Sequence, residues 1–215
     1  MNQTPNHTAQ AMAMMIIAML MLPGIDAIAK WMSGSVSAGQ VTWSRFLFQV
    51  LFMLPFFLET KGTIWNRKLV LHAARGGFIA LATLLFFAGL AYLPIADAIS
   101  IFFIEPMLVT LLSAVILKEA VGWRRLSAIA CGFIGAVIII RPTFAEIGWP
   151  VLYPAFAALS FSFYILLTRK LAEDEDPNRM QFLSGVAAFA IMSLALLIGT
   201  DRQLGLITAT VPSIF

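Results

Sequence analysis

The chain has 215 residues, 60% of them hydrophobic and only 12% charged, with a net charge of +3 and a mean hydropathy of +0.91. An ordinary soluble domain carries about a quarter charged residues, so the composition argues against a water-soluble fold. The basic balance reports where Lys and Arg sit in loops and carries no nucleic-acid inference. The single cysteine, Cys131, excludes an internal disulfide.

Residues 1–10, "MNQTPNHTAQ", hold no Lys or Arg and so lack the basic region of a cleaved signal peptide. "AIAK" at 27–30 does look like a small-x-small cleavage site, but the first apolar run is expected to stay as a membrane helix. Apolar runs of helix length recur at about 11–31, 41–58, 70–90, 97–117, 124–140, 150–168 and 180–199. A hydrocarbon core of about 30 Å needs roughly 20 apolar residues per helix. Lipid requires each segment to satisfy its backbone internally, and no strand-like alternation suggests a barrel. The expectation is an all-α integral membrane protein of about seven transmembrane helices. Trp31, Trp43, Trp65, Trp123 and Trp149 fall at or beside the span ends, where indole rings favour the interface.

Span one carries Pro23-Gly24, an expected break near mid-helix, then Asp26 and Lys30 at a spacing that allows pairing on one face. Lys30 is expected to snorkel to the interface. Its methionines, Met12, Met14, Met15, Met19 and Met21, are expected to face lipid or pack. Span two has Arg45 about a turn in, and span three has Arg75 about a turn in. A structural Arg75–Glu119 pair is expected, with Glu119 closing span four.

Span four, "YLPIADAISIFFIEP" at 92–106 and onward, holds two acids. Asp97 lies in the first turn, where an acid complements the helix dipole. Glu105 lies eight residues further in, about 12 Å at 1.5 Å per residue. A charge at that depth costs at least about 2.5 kcal/mol, so it belongs in a bundle interior or an aqueous cavity. Pro106 removes a backbone donor and loosens the helix there. Glu105 is therefore a candidate for substrate or proton handling, against a protonated or paired structural role. Asp26, Arg45, Asp97 and Glu105 together either bind a zwitterion or anion or neutralise one another. In span five, Ala128, Gly132 and Ala136, with Gly135, form a small-residue face suited to close helix packing. His7 and His72 stand isolated, so no metal site and no cofactor are expected.

The loops at 59–69, 118–125 and 169–179 hold nine Lys and Arg residues, whereas the loops on the other side hold Arg141 and Arg202. That bias places the first set, and residues 1–10 as a tail, in the cytoplasm, and it fits a bacterial inner membrane. The acidic "EDED" at 173–176 reads as a solvated loop.

"LPGIDAIAKW" and "FSFYILLTRKL" end spans one and six, and Lys30/Lys170 and Ser44/Ser184 are equally spaced. The pattern suggests a five-helix repeat over 11–141 and two helices of an inverted second repeat over 149–215, as in secondary transporters. The segment 92–142, "YLPIADAISIFFIEPMLVTLLSAVILKEAVGWRRLSAIACGFIGAVIIIRP", resembles the EamA family of the drug/metabolite transporter superfamily. "DAIAKW" in span one and "WSRF" in span two extend the likeness. The resemblance implies ten helices in two inverted repeats and alternating-access transport of a small metabolite across the bilayer; the absence of helices eight to ten is the departure. A truncated, non-transporting fragment or scaffold is the alternative, and a homodimer in which two copies complement each other is a third arrangement. An enzyme is not expected, since no H-E-x-x-H and no nucleophile–base pair appears. A retinal protein is not expected either, because span seven has no lysine.

Overall fold

The structure, a computed structural model, describes residues 5–60, 68–116, 118, 122–172 and 175–198. Among these there is no strand. The helices are α1 (Pro5–Met32), α2 (Ala38–Glu59), α3 (Leu69–Tyr92), α4 (Ile95–Phe102), α5 (Glu105–Ile116), α6 (Trp123–Ile147), α7 (Leu152–Ala172) and α8 (Pro177–Ile198). A 3-10 turn at Trp149–Val151 leads into α7.

Among the described residues, six stretches are long and apolar enough to cross a membrane: Met12–Met32, Ala38–Glu59, Leu69–Tyr92, Ile95–Ile116, Trp149–Ala172 and Pro177–Ile198. α6 has 25 residues and carries the expected span at 124–140. Among the described residues its apolar stretch is the shorter Leu126–Ile138, and in the sequence the run continues through Ile139 and Ile140 to Arg141.

Local sequence explains the ends. Ser37 caps α2, accepting from the Gln40 amide at 3.3 Å, and Asp176 caps α8, accepting from the Asn178 amide at 2.8 Å. Gly148 has φ +80°, a conformation that only glycine adopts without strain, and it turns the chain between α6 and the 3-10 turn. The expected break at Pro23-Gly24 does not occur, because α1 stays helical through both residues. One proline removes one donor, and here the neighbouring turns hold. Lys30 is tied back onto α3, its Nζ donating to the Leu90 and Leu93 carbonyls at 2.7 and 3.0 Å. These carbonyls belong to the last turn and cap of α3, which leave acceptors without helical partners, and a cation is favoured there.

α3 and α7 form the centre, with α2 and α8 packed beside them and α1 and α6 at the margins. The rings of Phe78 and Phe163 stack at 5.2 Å. Gly89 lies against Pro154, so a Cβ there would sit 3.1 Å from the proline ring. α2 and α8 run antiparallel: the Phe57 and Phe182 rings stack at 4.2 Å near one end, and Trp43 Nε1 donates to Ser193 at 2.8 Å near the other. Trp31, Trp123 and Trp149 are exposed at helix ends, as the interface preference expects. Trp65 lies outside the described residues.

Candidate substrate site

Span four is broken where its sequence is. α4 ends at Phe102 and α5 begins at Glu105. Pro106 has no amide to offer the Phe102 carbonyl. Across the break, the Ile104 amide bonds Ile101 and the Met107 amide bonds Ile104, at 3.2 and 3.1 Å, in tighter turns than an α-helix. Glu105 is half-buried at the first position of α5. Ser162 of α7 meets this point, its hydroxyl lying 2.7 Å from the Ala158 carbonyl and 3.4 Å from that of Glu105. Arg169, further along α7, is the cation that acts electrostatically on the Glu105 carboxyl.

Arg45 lies on α2 and reaches α3, where its Nη1 donates to Thr83 Oγ1 at 3.0 Å. Its guanidinium carbon is 5.8 Å from the Phe46 ring centre and 6.0 Å from that of Phe87, a cation–π range. Asp26 of α1 is the acid that acts on Arg45 electrostatically. The Lys30 ammonium is held by carbonyls. Asp97 is half-buried in the first turn of α4 and, among the described residues, makes no ion pair. The structure therefore puts Glu105 at the break and Asp97 at a helix start, with Asp26 in electrostatic range of Arg45.

Arg75 is 3% exposed and fully used. It donates to Thr168 Oγ1 at 2.8 Å, the Met180 carbonyl and Ser184 Oγ at 2.7 Å each, Tyr164 Oη at 2.9 Å and Gln181 Oε1 at 3.3 Å. Its guanidinium carbon also lies 4.6 Å from the Tyr164 ring centre. The expected partner Glu119 lies outside the described residues; the acceptors in place are neutral groups of α7 and α8. One turn earlier on α3, His72 Nε2 lies 2.7 Å from the Glu175 carboxylate. His72 looks isolated in sequence because its partner is about a hundred residues away. Tyr164, Thr83 and Ser162 were likewise invisible as site residues: nothing in their local sequence marks them.

The profile of the EamA-like transporter family matches residues 9–141. A riboflavin transporter of Rhizobium johnstonii is 32% identical over 188 residues, covering 83% of this chain and 62% of the relative. An S-adenosylmethionine uptake transporter of Rickettsia felis is 27% identical over 170 residues, covering 79% and 58% respectively. A riboflavin transporter of Vibrio cholerae is 27% identical over 181 residues, covering 81% and 60%. The chain thus spans about three fifths of the length of the curated relatives it matches. No solved structure matches it significantly. With six membrane-length helices and more than half of its residues matched to the profile, the chain is an integral membrane protein and belongs to the EamA-like transporter family.

Proposed function

We propose that the protein is a secondary carrier that moves a small organic metabolite across a bacterial inner membrane by alternating access. In this reading residues 1–10 are a cytoplasmic tail, 11–141 form one five-helix repeat and 149–215 belong to a second, inverted one. Asp26, Arg45 and Glu105 handle the substrate or a coupling ion, and Asp97 supports the start of α4. The observation that carries the reading is the acid at a helix break: Glu105 begins α5 beside Pro106 and is met by Ser162 of α7. Broken helices near the midplane are where such carriers place their sites. The named activities of the relatives support a small-metabolite cargo, and the nine-to-two loop bias supports a cytoplasmic N-terminus.

The test is uptake and efflux of radiolabelled S-adenosylmethionine and riboflavin by cells expressing the protein. Glu105→Gln is expected to lower saturable flux far more than Asp97→Asn, because bulk water reaches the helix start more readily than the break. Equal flux by Glu105→Gln and the parent across pH would remove the functional role of Glu105. Absence of any saturable flux, with the protein correctly inserted, would favour a scaffold.

A further inference from the structure

Five aromatic rings from three helices follow one another through the interior. Phe87 and Phe86 of α3 lie 6.4 Å apart, and Phe86 meets Phe102 of α4 edge-on at 5.3 Å. Phe102 meets Phe161 of α7 at 5.6 Å, and Phe161 meets Tyr164 at 5.3 Å. Arg45 attends one end of this row, its guanidinium carbon 6.0 Å from the Phe87 ring centre, and Arg75 attends the other, its guanidinium carbon 4.6 Å from the Tyr164 ring centre.

Aromatic rings usually meet like this to fill a core. Three observations separate this row from packing alone. Phe86, Phe102, Phe161 and Tyr164 are all half-buried, whereas Phe46 beside them is fully buried. The row passes the helix break, since Phe102 is the last residue of α4 and Phe161 precedes the Ser162 that meets Glu105. Arg45 and Thr83 bring hydrogen-bonding groups to the same place.

We propose that this row is the wall on which a planar, fused-ring heteroaromatic part of the substrate stacks, with the Arg45 guanidinium meeting its polar or anionic side. The inference rests on the carrier reading and names its substrate class. Stacking on one aromatic side chain contributes about 5- to 150-fold in affinity, with little preference among bases. Such a wall selects for ring character and leaves finer discrimination to charged groups at its edge.

The purified protein in lipid nanodiscs is titrated with riboflavin, whose own fluorescence is quenched on stacking, and with ribitol as a ring-free competitor. Riboflavin is expected to bind and ribitol to compete poorly. Phe161→Leu and Phe102→Leu are each expected to weaken riboflavin binding about tenfold, and Phe161→Trp to retain it. Phe163→Leu, which removes a ring stacked on Phe78 outside the row, is the control and is expected to change binding little. Arg45→Gln is expected to reduce the preference for flavin mononucleotide over riboflavin.

Unchanged riboflavin affinity in both row variants overturns the inference, as does equal loss in Phe161→Leu and Phe163→Leu. An unchanged flavin mononucleotide preference overturns the part given to Arg45. If Phe161→Leu fails to fold, Phe102→Leu decides. Binding of no heteroaromatic probe by a protein that still moves other solutes overturns the inference and leaves the carrier reading intact. A protein that binds flavin through the row and moves nothing refutes the carrier reading instead.

Discussion

Gly76 is the position where one added methyl group should do most harm. A Cβ built there lies 2.6 Å from Ala187 Cβ, 2.6 Å from the Ser184 carbonyl oxygen and 2.9 Å from the Ala188 nitrogen. Two of these are backbone atoms and cannot swing away. Ordinary contact begins at about 3.4 Å, so α3 and α8 must separate by roughly 0.8 Å. Arg75 is the preceding residue, and it spans the same interface to the Met180 carbonyl and Ser184 at 2.7 Å each. Stretched by that amount, both bonds pass the normal limit. Overpacking costs about 1–3 kcal/mol, and interhelical hydrogen bonds in membranes are worth about 0.6 kcal/mol each. Gly76→Ala should therefore destabilise the fold by about 2–4 kcal/mol. Gly135→Ala meets nothing within 4 Å, in a shallow groove beside Phe103 and Met107, and should be neutral or stabilising by up to about 1 kcal/mol, the helix preference of Ala over Gly. Gly132→Ala meets only the end of the Met107 side chain, which can change rotamer, and should fall between the two. Unfolding titrations in mixed micelles would rank the three. A Gly76→Ala protein as stable as the parent, or Gly135→Ala as the worst of the series, would refute the reasoning.

Arg75→Lys keeps the charge but loses the fork that serves five acceptors on two helices, so it should lose most of the stability that Arg75→Leu loses; recovery of full stability by Lys would refute a geometric role. In a Cys131→Ser background, needed because Cys131 is exposed, cysteines at Gly122 and Asn178 should react with an impermeant maleimide only from the cytoplasmic side, and one at Gly34 only from outside. The reverse pattern would overturn the proposed orientation. Trp43→Phe should cost about 1 kcal/mol or less through loss of the Ser193 hydrogen bond, and Ser193→Ala in the same background should then add little; independent, additive losses would show that the pair is not coupled.

The membrane helices were legible because lipid imposes a crude requirement of length and hydropathy that any sequence displays. The break in span four was legible for a similar reason, since Pro106 lacks an amide whatever its surroundings. Pro23-Gly24 failed as the same kind of signal because a missing donor permits a break without forcing one. α6 is harder to read, because its helix is long while arginines flank an apolar run shorter than those of the other spans. The small-residue pattern of α6 pointed to close packing, yet Gly135 faces open space. A close approach of two helix backbones lies instead at Gly76, which makes its own four-residue step of small residues with Ala80.

Charge partners were the least legible, and the reason is chemical. An intramembrane arginine invites a search for a carboxylate, and Glu119, which the sequence offered for Arg75, lies outside the described residues. A guanidinium has five donors in a fixed fork, and neutral oxygens satisfy it when enough of them converge. Here they converge from positions 89 to 109 residues away along the chain, where no local pattern marks them. Lys30 repeats the lesson with two carbonyls at the end of α3. Asp26 acts on Arg45 electrostatically, yet the groups Arg45 touches are Thr83 and ring faces. Single sequences display which ionisable groups enter the membrane, because each is rare there and costly. They do not display which of these groups the fold satisfies internally. That division separates Arg75, bound on every donor side by α7 and α8, from Arg45, which donates to Thr83 at one end of a row of rings. It depends on helix contacts that form only after the spans have already found their places in the bilayer.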